Sequence, residues 1–122
     1  MNSKCCILVV DDEPIVGKSL QRLLSKAGYA VEAFSDSNAA VEELRKRNFD
    51  FIITDLMMDG FDGMQILEIA REKHPDTRVI IITGFAEELT ASDALQKGAF
   101  AFFQKPFKID DIKQVIRKAE EK

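Results

Sequence analysis

The chain has 122 residues, a formal net charge of −4, and 46% hydrophobic and 31% charged residues, a balance that suits one compact domain with its own core. The acidic total supplies no basic footprint for a nucleic-acid duplex, and no apolar run approaches the roughly 18 residues needed to span a bilayer. No basic-then-apolar leader opens the sequence, so the expected location is cytoplasmic, with neither nucleic acid nor membrane as a direct partner.

In chain order, residues 5–10 read as a first strand. Cys5 and Cys6 are adjacent there and point to opposite faces, which disfavours a disulfide; they are expected as two small buried hydrophobes. Pro14 suits the first turn of a helix in which Val16, Leu20, Leu23, Leu24 and Ala27 follow at helical spacing, with Gly28 as the stop. Residues 29–34 form a second strand. Ser35, Asp36 and Ser37 offer caps for a helix reaching about residue 47, with Val41 and Leu44 on its apolar side. Residues 51–54 are a strand ending on Asp55, and MMDGFDG is a loop by its glycines and aspartates. Met64, Leu67 and Ala70 mark a helix to Lys73, and residues 79–83 are the next strand, followed by Gly84. A helix over about 87–97 stops at Gly98, and 99–103 is the last strand. Asp110 or Asp111 opens a final helix carrying Ile112, Val115, Ile116 and Ala119. Five βα units with uniformly apolar strands imply a parallel sheet covered on both faces, and such sheets bind ligands beyond the carboxyl ends of their strands.

That rule gathers Asp11 and Asp12 from the first strand, Asp55 from the third, Thr83 from the fourth and Lys105 from the fifth onto one rim. Carboxylates about 4 Å apart repel by roughly 1 kcal/mol per pair in water and roughly 4 near a protein surface. A divalent cation offsets that repulsion, and oxygen-only ligands favour Mg2+ or Mn2+ over zinc. Lys105 can pair with a carboxylate or a phosphoryl oxygen, and the Thr83 hydroxyl can donate to such an oxygen. The set suits phosphoryl transfer with Asp55 as nucleophile, giving an aspartyl phosphate.

The residues Asp11–Asp12, Asp55, Thr83 and Lys105–Pro106, with GFDGM at 60–64 and GAFAFFQKPF at 98–107, resemble the receiver domain of two-component response regulators over essentially the whole chain, residues 1–122. The resemblance, close to the chemotaxis response regulator, implies a three-layer flavodoxin-like (βα)5 α/β fold with a five-stranded parallel sheet in the order 2-1-3-4-5. It implies that a sensor histidine kinase or a phosphotransfer protein phosphorylates Asp55. Asp11, Asp12 or both would hold Mg2+ together with Asp55 and the Met57 backbone carbonyl. Lys105 would contact the phosphoryl group, Thr83 would swing inward to bond it, and the Lys105–Pro106 bond would be cis. Phe102, three positions before the lysine, would turn inward and remodel the surface of the fourth helix, fifth strand and fifth helix. That surface would then control an output domain or downstream protein, or a homodimer. Phe102 lacks a tyrosine hydroxyl and would report by packing alone; Phe100, on the same strand face, would be exposed. The chain would catalyse only its own phosphorylation and dephosphorylation.

Some positions depart from the family pattern or vary within it. Asp59 stands where many receivers have proline. Met57 and Phe85 would line the approach to the phosphate, where two bulky apolar groups would slow water and lengthen the phosphorylated lifetime, while Gly84 leaves room for a phosphodonor. His74 precedes Pro75 in a helix-to-strand loop, at the rim opposite Asp55, and is no phosphodonor candidate. Two rivals use related parts. A Mg-dependent phosphatase with an aspartyl-phosphate intermediate usually has an acid two residues after the nucleophile, where this chain has Met57. A flavin-binding module needs a phosphate-cradling loop after the first strand, where this chain has DDEP.

Overall fold

Ten elements alternate along the chain in a computed structural model that describes residues 5–84 and 91–121. They are β1 (Cys6–Val10), α1 (Pro14–Lys26), β2 (Ala30–Phe34), α2 (Ser37–Lys46), β3 (Phe51–Asp55), α3 (Gly63–Lys73), β4 (Arg78–Thr83), α4 (Ala91–Gln96), β5 (Ala101–Gln104) and α5 (Ile109–Glu120). The strands form one five-stranded sheet in the order β2-β1-β3-β4-β5, the flavodoxin-like arrangement. Every pairing is parallel, so all five carboxyl ends lie on one rim. Val10 is level with Thr54, Asp55 with Ile82, and Thr83 with Gln104, which brings the polar strand ends into one row.

Alternation along the strands divides the core in two. Leu8, Val10, Ile52, Val79 and Ile81 face α2, α3 and α4 through Val41, Leu44, Ile66, Leu67 and Ala94. Ile7, Val9, Ile53, Ile80 and Ile82 face α1 and α5 through Leu20, Leu24, Ile112 and Ile116. β3 is buried along its whole length because it sits mid-sheet under both helical layers. Each such isoleucine or leucine contributes about 1.5–3 kcal/mol of apolar burial. This double cover fixes the height of the β3 end, and so the position of Asp55.

Local chemistry accounts for the helix ends. Pro14 opens α1, where its missing N–H costs nothing. Asp36 caps α2 by accepting the Asn38 N–H at 3.0 Å, and Asp62 forms a capping box with Gln65 at the start of α3. Gly28 and Gly98 close α1 and α4 at φ +103° and +109°, the left-handed region that glycine enters without penalty.

The structure corrects several expectations. Cys5 and Cys6 are half-buried, because they lie where the chain enters β1 at the edge of the core; they do pack against opposite helical layers and form no disulfide. Burial, followed by the charges of Asp50 and Glu120, pushes the Cys5 thiol up to about 12. Ala27 is the exposed C-cap of α1. Neither Asp110 nor Asp111 opens α5; Lys108 holds the cap position, and the two aspartates lie in the first turn, where acids meet the positive end of the helix dipole. β5 begins at Ala101, two residues later than expected, although the Phe100 N–H already bonds the Val79 carbonyl at 2.7 Å. The expected start of the fourth helix, near residue 87, lies outside the described residues.

Candidate functional site

The β1 end turns sharply into α1. Asp11 is fully buried, and its Oδ1 accepts the Glu13 N–H at 2.9 Å, whereas Asp12 is exposed. Glu13 holds the N-cap position of α1 but makes no side-chain cap bond. Its carboxylate instead accepts the Lys105 ammonium at 2.9 Å. Asp55, 5% exposed, closes β3; its Oδ1 accepts the Leu56 N–H at 2.9 Å and its Oδ2 lies 3.3 Å from Lys105 Nζ. Lys105 thus reaches three carboxylates, with Asp11 Oδ2 at 2.9 Å. That last contact is an ion pair out of line for a hydrogen bond, and Asp11 Oδ2 is buried with no hydrogen-bond partner.

The electrostatics follow from this crowding. Burial, then the Asp11 charge, lifts the Asp55 carboxyl from 3.8 to about 6, against the opposing pull of Lys105 and the Leu56 N–H. Burial alone would lower Lys105, but its hydrogen bond to Glu13, its close contact with Asp11 and the charges of Asp11 and Asp55 outweigh it and raise the ammonium further. Among the described residues Lys105 therefore stands against Asp11, Glu13 and Asp55 at the rim, and Asp12 adds a further acid. Oxygens of Asp11, Asp12 and Asp55 lie within 4.8 Å of one another. An all-oxygen donor set, with a buried carboxylate oxygen left without a hydrogen bond, fits a small hard divalent cation.

The remaining expected residues fall around this point. Thr83 is fully buried at the end of β4, and its carbonyl accepts the Lys105 N–H at 2.7 Å. Met57 is 47% exposed and lines an open cleft with Asp12, Glu13, Asp55, Met58, Asp59, Gly84 and Lys105. Phe102 is partly buried against the α2–α3–α4 layer, level with Ile81. Phe100 is 44% exposed but sits just ahead of β5, under the Arg78 guanidinium 5.4 Å from its ring. The Lys105–Pro106 bond is cis. Phe85 lies outside the described residues. His74 closes α3 at the opposite rim, with Nε2 2.9 Å from the Leu44 carbonyl.

Two contributors were not apparent from the sequence. Glu13 had no role of its own in the sequence reading, although DDE is one acid longer than a metal-binding pair requires. Ser37 looked like a helix cap, yet its buried hydroxyl bonds the loop after Asp55.

Comparison with known proteins agrees with this geometry. The family model for the response regulator receiver domain matches residues 7–117. The nitrogen assimilation regulatory protein NtrX of Azorhizobium caulinodans is 32% identical over 117 residues, covering 94% of this chain and 26% of that protein, so the chain spans about a quarter of its relative. A receiver domain protein from Clostridium thermocellum superimposes with TM-score 0.86 at 32% identity, covering 94% of this chain and 93% of that one. The beryllofluoride-activated NtrC4 receiver domain dimer superimposes with TM-score 0.86 at 34% identity, covering 95% and 96%. Sheet order, rim chemistry and family match agree: the chain belongs to the receiver domains of two-component response regulators.

Proposed function

We propose that the whole chain, residues 1–122, works as one receiver in which Asp55 accepts a phosphoryl group from a phosphohistidine of a sensor kinase or phosphotransfer protein. The observation that carries this reading is the grouping of Asp55 with Asp11, Asp12 and Lys105 around one open cleft. Asp11, Asp12 and Asp55, with the Met57 carbonyl, would hold Mg2+, or Mn2+ in its place. When bound, the cation neutralises carboxylate and phosphoryl charge. An Asp55 oxygen attacks phosphorus as the donor's N–P bond breaks, and the leaving imidazole takes a proton from solvent. With its carboxyl near 6, Asp55 is mostly ionised at neutral pH and able to act as the nucleophile. Lys105 then turns its charge from Asp55 to the new phosphoryl oxygens, and Thr83 donates a hydrogen bond to one of them.

Phosphorylation adds up to two negative charges at a covered point. Moving a resting active population of about 1% to 99% takes about 5.5 kcal/mol, within reach of a few charge-assisted bonds at roughly 1.5–3 kcal/mol each. Phe102, packed between β5 and the α2–α3–α4 layer, carries the shift to the α4–β5–α5 face, which regulates an output domain, a downstream protein or a second copy of the chain. The dimeric state of the activated NtrC4 receiver supports the last of these. An apolar groove formed by Ile15, Val16, Leu20, Leu23, Pro106 and Phe107 runs up to Glu13 and Lys105, and suits an apolar helix bearing the donor histidine. The phosphatase rival finds no acid at position 57, and the flavin rival meets an acidic β1–α1 turn.

The test is incubation with acetyl phosphate and Mg2+, read by intact mass. One phosphoryl group on the wild type, lost with chelator and absent from Asp55→Asn, is the expected result. Equal labelling of Asp55→Asn rejects the assignment.

A further inference from the structure

We propose that Ser37 is a positioning residue for the phosphoacceptor loop, holding the segment that presents the Met57 carbonyl to the cation site. The inference rests on the receiver reading above. The segment between Asp55 and α3 is tied at its base, where the Gly63 N–H donates to the Leu56 carbonyl at 2.9 Å. Its far end is tied from another part of the chain. Ser37, 2% exposed in the first turn of α2, donates its hydroxyl proton to the Asp59 carbonyl at 2.7 Å. The same oxygen accepts the Phe61 N–H at 2.9 Å. One hydroxyl thus satisfies a carbonyl and an amide on either side of Gly60, which lies at φ +79°. A Cβ at Gly60 would stand 2.7 Å from Ser37 Oγ, so the turn closes directly onto the hydroxyl.

This tie bears on the site because Met57 lies between the two fastened points. Asp59 carries no ring to restrict its φ, so the loop's shape here depends on an external partner. Ser37 supplies it from the N-terminus of α2, while the neighbouring Asp36 caps the helix separately through the Asn38 N–H. Capping and loop tethering are thereby assigned to different side chains, which makes them separable by mutation.

Isothermal titration of the metal-free protein with Mg2+ tests the assignment. Ser37→Ala is expected to weaken Mg2+ binding by roughly tenfold, the scale at which residues supporting metal ligands act. Asp36→Ala, which removes the cap but keeps the hydroxyl, and Ser37→Thr, which keeps the hydroxyl on a larger side chain, are both expected to bind like wild type. Unchanged affinity in Ser37→Ala overturns the proposal. So does equal weakening in Asp36→Ala, which assigns the effect to helix stability, or in Ser37→Thr, which assigns it to volume. If Ser37→Ala does not fold, amide exchange in the wild type decides: a protected Phe61 N–H supports the tether, and a freely exchanging one overturns it. Failure of the wild type itself to bind Mg2+ or accept phosphate would instead reject the receiver reading.

Discussion

The two rims of the sheet are both lined with polar residues, yet they treat them in opposite ways. At the amino-terminal rim three polar groups among the described residues have conventional partners. Asp50 accepts the Cys6 N–H at 2.8 Å, Tyr29 donates to Glu120 at 2.9 Å, and Thr77 donates to the Phe49 carbonyl at 2.5 Å. At the carboxyl rim Asp11 and Asp55 are buried near each other, share one lysine with Glu13, and leave Asp11 Oδ2 without a hydrogen bond. The first arrangement stabilises the fold. The second carries a penalty that a cation can relieve, and that difference separates structural polarity from functional polarity.

The largest expected effect is chemical. Asp55→Asn removes labelling by acetyl phosphate altogether, whereas Asp50→Asn at the opposite rim labels at the wild-type rate. Equal losses in both variants, read by intact mass, would break the contrast between the rims.

The next effect concerns charge balance. Lys105→Gln leaves buried carboxylates without their cation and lowers metal-free stability at pH 7 by about 3 kcal/mol. Part of the loss is recovered near pH 4, where the Asp55 carboxyl carries its proton, which denaturant titration at the two pH values will show.

Third, the Asp55 carboxyl is lifted from 3.8 to about 6 in the fold. The folded state therefore holds this proton more tightly than the unfolded chain, and metal-free stability falls as pH rises from about 4 to about 6. Asp55→Asn lacks that penalty and is more stable than wild type by about 1–3 kcal/mol at pH 7, with the gain vanishing near pH 4. In the wild type the same proton competes with Mg2+, so magnesium affinity drops as pH falls below about 6. Calorimetric titration across pH measures it.

The smallest effect lies at the quiet rim. Tyr29→Phe deletes one partly exposed bond to Glu120, costs about 1 kcal/mol or less, and leaves phosphorylation unchanged.

How much of this was legible in the sequence depends on the range of the interaction. The strands could be read because both faces are covered and the residues are apolar without alternation. Asp11, Asp12, Asp55, Thr83 and Lys105 could be read because each interrupts such a run at its carboxyl end. Glu13 was missed as a lysine partner because its contact spans 92 residues. Ser37 was missed because its loop partners lie 22 and 24 residues away, and a serine at a helix start already has a local explanation. The start of β5 was misplaced because AFAFF stays apolar through Phe100, which gets its cover from an arginine rather than from the core.

Gly63 has a mechanical consequence. A methyl group there would come within 2.6 Å of the Asp55 carbonyl oxygen, so the backbone of α3 is seated directly on the acceptor strand. A methyl group added at Gly84 would meet nothing within 4 Å among the described residues beyond its chain neighbours. The acceptor strand is therefore closely backed on the α3 side, and the space beside Gly84 is more open.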